Sequence, residues 1–139
     1  MVYFILNREL NHVKIGYTKE LYKRLSSLQT GNSVELEIIH VIPYYTMNEE
    51  YYLHQYFSSL LIKNEWFSYG SAIKHFIWFS KFMDYSTFTM LNPPLDDTAK
   101  ENGFIRYLKF CADSFRRHRA TSQVHFFEID EYLSNQQFK

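Results

Sequence analysis

The chain has 139 residues, enough for one domain with a modest appendage. Hydrophobic residues make up 46% and charged residues 22%, close to the globular average, which excludes a wholly disordered chain. Fifteen basic residues balance fifteen acidic ones, so the totals exclude a strongly basic nucleic-acid binder, and any phosphate contact has to come from local clusters.

Taken in chain order, Val2–Leu6 and Val13–Thr18 are short β-favouring runs around the polar insert Asn7–Asn11, the pattern of a β-hairpin. Leu21, Leu25 and Leu28 then recur at helical spacing and predict a helix over 19–29, with Thr18 placed to cap it and Gly31-Asn32 to end it. Val34–Ile42 alternates apolar and acidic residues before Pro43 and predicts a third strand. A second helix is expected over 49–62 with Asn48 as its cap, and a third over 71–83. Residues 86–98, with Asn92-Pro93-Pro94 and Asp96-Asp97, have the composition of a linker. A helix is expected over 99–119 with Phe104, Leu108, Cys111 and Phe115 as its apolar stripe, followed by a β-like segment over 123–129 and a final turn or helix over 131–137.

This order predicts an α+β fold: a small three-stranded antiparallel sheet flanked by helices, with a C-terminal helical extension. The expected organisation is a compact domain over 1–85, a linker over 86–98 and an extension over 99–139. No apolar run approaches the roughly 20 residues that span a bilayer. The N-terminus lacks a basic region before its apolar start, unlike a signal peptide. With Cys111 as the single cysteine, no intramolecular disulfide can form, as suits a reducing compartment. The expectation is a soluble, non-secreted intracellular protein, cytoplasmic or nuclear, with no membrane partner.

Four features bear on chemistry. Gly16 lies inside a strand, where glycine marks close approach of a ligand or room for packing, and alternation puts Lys14 and Gly16 on one face. Arg24 lies beside the apolar stripe of the first helix. Glu50 and His54 are four apart on one helix, and a carboxylate suits a hard cation such as magnesium, whereas one cysteine and scattered histidines give no zinc spacing. From Lys100 to Arg119 six basic residues stand against two acidic ones, which offers either a solvated helix end or a phosphate contact through Arg106, Lys109, Arg116, Arg117 and Arg119.

Met1-Val2-Tyr3-Phe4-Ile5, then Lys14-Ile15-Gly16-Tyr17-Thr18, then Arg24-Leu25 resembles the GIY-YIG nuclease superfamily. More specifically it resembles the branch with KIG in place of YIG, typified by phage proteins and the meiotically-upregulated-gene type. That branch continues with Glu-x-x-Leu-His…Phe and Glu-Trp-Phe, and this chain has Glu50-Tyr51-Tyr52-Leu53-His54, Phe57 and Glu65-Trp66-Phe67. The likeness covers residues 1 to about 70. It implies hydrolysis of DNA phosphodiester bonds with Mg2+ or Mn2+. It further implies Tyr3 as general base or water-orienting group, Gly16 as the glycine that lets phosphate approach the strand, Arg24 as charge neutraliser and Glu50 as the single metal carboxylate. His54 belongs to the branch pattern, as a supporting or phosphate-contacting group. Lys14 stands in place of the second motif tyrosine and is expected to lower the pKa of Tyr3. Two other readings compete with a metal-dependent DNA endonuclease. One is a non-catalytic nucleic-acid-binding module of the same fold. The other is a protein-interaction domain using Tyr44, Tyr45, Tyr51 and Tyr52.

Overall fold

The computed structural model describes residues 1–93 and 103–121. They fall into two compact units, one over Met1–Gly70 and one beginning at Ser71. The expected segments over 123–129 and 131–137, the end of the 86–98 stretch, and Lys100 lie outside the described residues.

The first unit is an antiparallel sheet in the order β3-β1-β2-β5-β4. Strand β1 (Val2–Asn7) pairs with β2 (His12–Tyr17) through the expected hairpin, which sets Tyr3 opposite Gly16 and Ile5 opposite Lys14. Two asparagines make that turn. The Asn7 side chain accepts the Leu10 N–H at 3.1 Å, and Asn11 takes a left-handed backbone (φ 56°), which asparagine tolerates better than most residues. All six residues of β1 are buried, so the strand is covered on both faces. Helix α1 (Leu21–Thr30) starts two residues later than expected, because the Thr18 hydroxyl accepts the Glu20 N–H in a local turn instead of capping the helix. Its C-terminus falls at Gly31, as expected. Leu21, Leu25 and Leu28 rest on Tyr3, Ile5 and Leu36. The Gln29 amide then closes the connection to β3 (Leu36–Ile42), donating to the carbonyls of Asn32 and Val34 and accepting the Leu36 N–H.

Helix α2 (Met47–Tyr56) is shorter than expected and capped two residues earlier. Thr46 is its cap, accepting the Asn48 N–H at 3.2 Å, while the Glu49 carboxylate reaches back to the Thr46 N–H at 2.9 Å, a complete capping box. The chain leaves α2 through a 3-10 turn, Ser58–Leu60, into two unexpected strands: β4 (Leu61–Lys63), which overlaps the end of the helix expected over 49–62, and β5 (Trp66–Ser68) beyond it. Asn64, at φ 55°, makes the turn between them. The sheet therefore has five strands and not three. The added hairpin docks β5 on β2, with Lys14 opposite Trp66, and leaves β4 as an exposed outer strand of three residues.

The second unit is helical. Helix α3 (Ser71–Phe82) matches its expected span, and α4 (Tyr85–Leu91) occupies the first half of the stretch read as linker. Composition misled there because Ser, Thr and Asn are common in loops. Here Asp84 caps the segment by accepting the Thr87 N–H at 2.7 Å, and Phe88 is buried. Helix α5 (Gly103–Thr121) packs on α3 and α4. It buries Phe104, Tyr107, Leu108, Cys111 and Ser114, while Phe115 of the expected stripe is only half-buried. The Tyr107 hydroxyl donates to the Met83 carbonyl at 2.5 Å, and the Phe88 ring packs tilted against those of Tyr107 and Phe110. Among the described residues no helix is long and apolar enough to cross a membrane.

Candidate active site

The antiparallel register brings Tyr3 and Gly16 side by side, and their contact explains the glycine. A Cβ at position 16 would meet Cε1 of Tyr3 at 3.0 Å, with the ring carbon Cζ and the hydroxyl closer still. The space above Gly16 is filled by the Tyr3 phenol. Glycine here is a packing requirement of the tyrosine across the ladder.

Helix α1 supplies the partner of that phenol. Arg24 Nε donates to the Tyr3 hydroxyl at 3.2 Å. Burial pushes the Tyr3 pKa up, and the Arg24 hydrogen bond and charge only partly oppose it. The same hydrogen bond raises the pKa of Arg24. The cation beside Tyr3 is therefore Arg24, which corrects the expectation that Lys14 would lower its pKa. The net direction is upward because the ring is buried.

Lys14 is occupied elsewhere. Its ammonium lies 2.8 Å from Glu65 Oε2 and sits over the Trp66 ring at 5.7 Å, with only 8% of its side chain exposed. The β4–β5 turn delivers Glu65, and the Glu65 carbonyl also accepts the Ile15 N–H at 3.1 Å, fixing the turn to β2. Glu50, in the first turn of α2, comes to the same place. Its pKa is raised, first by burial and then by the charge of Glu65, with a Glu65 hydrogen bond acting the same way; His54 and Lys14 pull it back down. Two carboxylates close together resist sharing two negative charges. Glu65 is the site residue that reading single positions missed, although the Glu-Trp-Phe motif contained it.

His54 is brought to the same cluster, chiefly as a tie. Its Nε2–H donates to the Ile15 carbonyl at 2.7 Å, and its ring meets Phe67 edge-on at 5.2 Å. Glu50 Oε1 lies 3.7 Å from the same nitrogen, outside hydrogen-bonding range. The histidine thus pins α2 to β2 one turn beyond Glu50.

Chemically, the first unit holds a guanidinium on a phenol, an ammonium paired with the Glu65 carboxylate, and the Glu50 carboxylate beside Glu65. The Glu50–Glu65 oxygens suit magnesium or manganese, which commonly use one or two carboxylates plus water and substrate oxygens, and a dication would relieve the repulsion between them. Among the described residues no three His, Cys, Asp or Glu side chains form a metal cage.

The basic residues lie apart from this cluster in sequence and belong to the second unit. Lys109, Arg116 and Arg117 are exposed on α5, and Arg116 pairs with Asp113. Arg106 turns to α4 instead, donating to the Asn92 carbonyl at 3.4 Å with its guanidinium 6.0 Å from the Phe88 ring. Arg119 is on the same helix. The proposed aromatic interaction surface is broken: Tyr44 and Tyr51 are exposed, but Tyr45 is buried.

No curated protein and no solved structure matches the chain. The model of the T5orf172 domain matches residues 1–78, which takes in the whole sheet, α1 and α2, and with them Tyr3, Lys14, Gly16, Arg24, Glu50, His54 and Glu65. That match spans more than half of the sequence, and the chain belongs to the T5orf172 domain family.

Proposed function

We propose that the protein is a divalent-metal-dependent endonuclease that hydrolyses DNA phosphodiester bonds, with its site in the first unit and a GIY-YIG-like arrangement of residues. The observation that carries this reading is the convergence of Tyr3–Arg24 and Lys14–Glu65–Glu50 within one family-matched sheet, in the chain order of the nuclease motif. The family's association with nuclease and nucleic-acid-binding roles supports it.

In the reaction a water oxygen bonds to phosphorus and loses its proton to solvent while the bond to the leaving sugar oxygen breaks and that oxygen takes a proton from solvent; on the way, negative charge grows on the phosphate oxygens. Arg24 is the group assigned to meet that charge. One of its five donors is spent on Tyr3, and a guanidinium fork suits phosphate. Tyr3, held neutral by burial, serves to aim that guanidinium rather than to take a proton. Glu50, with Glu65 beside it, would hold magnesium or manganese, which supplies Lewis-acid stabilisation of the leaving oxygen. Lys14, itself nearly buried, keeps Glu65 in place through an ion pair. His54 holds the backbone frame that presents Glu50.

The raised pKa of Tyr3 gives a second reading some footing: a nucleic-acid-binding module that keeps the fold without turnover. Supercoiled plasmid with magnesium or manganese separates the two. The endonuclease nicks it, EDTA abolishes nicking, and Glu50→Ala and Arg24→Ala each lower the rate by about 10²-fold or more. Highly purified protein that cuts no DNA form with either metal yet binds duplex with a salt-dependent affinity would favour the binding-module reading.

A further inference from the structure

Helix α5 is divided lengthwise. Phe104, Tyr107, Leu108, Cys111 and Ser114 are buried, and they recur at the spacing of one helical face. Lys109, Asp113, Arg116 and Arg117 stand at i, i+4, i+7 and i+8 on the opposite face, and all four are exposed. A helix end attracts cations through its dipole, which accounts for Arg116 and Arg117 but not for Lys109 two turns earlier on the same line. The sole acidic residue of the four, Asp113, lies between the cations and pairs with Arg116 three residues on.

We propose that this face of α5 docks the phosphate backbone of duplex DNA through Lys109, Arg116 and Arg117, and that Asp113 tempers the contact by competing for Arg116. The inference rests on the nuclease reading only in its choice of polyanion. From Lys109 to Arg117 the helix rises about 12 Å, a length over which a duplex carries about seven negative charges. A membrane surface fits less well, because an interfacial helix needs an apolar face for the lipid, and the apolar face of α5 is already spent on α3 and α4. The contact carries no sequence information, since it reaches phosphates and not base edges.

The test uses the full chain in EDTA, so that no cleavage interferes, and measures affinity for a short fluorescent duplex between about 50 and 200 mM salt. Each of Lys109→Ala, Arg116→Ala and Arg117→Ala flattens the slope of log K against log salt by about 0.9, and the triple variant weakens binding at least about tenfold. Asp113→Asn moves the other way, tightening binding and steepening the slope. A triple variant that melts like the wild type and keeps its slope overturns the proposal. So does duplex binding that polyglutamate displaces at equal charge concentration, which would mark a docking face for acidic proteins. Should the triple variant fold poorly, Asp113→Asn decides alone, and unchanged affinity there sinks the idea. Plasmid nicking with magnesium is scored separately: nicking with an unaltered slope leaves the nuclease and removes this surface, and an altered slope without nicking does the reverse.

Discussion

At the scale of single residues the tightest constraint is the pairing of Tyr3 with Gly16. A methyl group at position 16 has to displace a phenol that is 1% exposed and hydrogen-bonded to Arg24, and a well-packed sheet face offers that ring nowhere to go. Gly16→Ala is expected to destabilise the protein by about 1–3 kcal/mol in urea unfolding and to break the Tyr3–Arg24 hydrogen bond. Starting from Tyr3→Leu, which removes the ring, the same Gly16→Ala change costs little more. This non-additivity separates a clash with the tyrosine from a general intolerance of side chains in β2. Lys14 and Glu65 show how little of such a pair is visible in sequence. They are 51 residues apart, and only the β4–β5 hairpin, whose strands are three residues each, brings them to 2.8 Å.

At the scale of elements, the hairpin β1–β2 could be read from two β-favouring runs around a polar insert, and strand β3 from its run before Pro43. The misreadings fall where local hydrogen bonds outweigh pattern. Thr18 closes a turn instead of a cap, Thr46 outcompetes Asn48 because Glu49 completes a capping box with it, and Asp84 starts a helix inside a polar stretch. The three-residue strands β4 and β5 are too short to show an alternation of their own. The capping box matters to the site because Glu50 sits in the turn it holds. Thr46→Ala is expected to cost about 1 kcal/mol in thermal or urea unfolding. It should also speed hydrogen exchange at the Asn48 amide, which loses its acceptor. If exchange there is unchanged while stability falls, the loss arises elsewhere than the cap.

At the scale of the whole molecule, the two units differ in how they can be followed. Cys111 is the only cysteine, lies in the second unit and is 1% exposed, and burial pushes its thiol up to about 12 from a usual value of 9.0. The folded state thus keeps a proton that the unfolded state gives up, so this group's contribution to stability is intact below about pH 9 and drains away as pH rises from there toward 12. The expected outcome is a loss of up to about 1.4 kcal/mol per pH unit across that window, reduced in Cys111→Ser, whose hydroxyl does not titrate there. Thiol reagents at pH 8 should label the native protein far more slowly than the protein in denaturant. Fast native labelling would show that the helical unit opens on its own. Motif order put Tyr3, Lys14, Gly16, Arg24, Glu50 and His54 within residues 1 to about 70, a stretch that lies inside the 1–78 matched by the T5orf172 domain. What motif order could not supply was the partner of each charge, because ion pairs across a sheet depend on strand order, and β5 lying next to β2 is a matter of topology.

The outer strand β4 carries a further consequence. A sheet that ends in a long, flat, apolar edge offers its unpaired backbone groups to any neighbouring chain and tends toward aggregation. Here the hairpin that brings Glu65 to Lys14 also caps that side of the sheet with three residues, the last of them a lysine, too short a ladder for another strand to extend. One small hairpin thus completes the charged cluster and leaves this edge of the sheet short, while the opposite edge is the seven-residue strand β3.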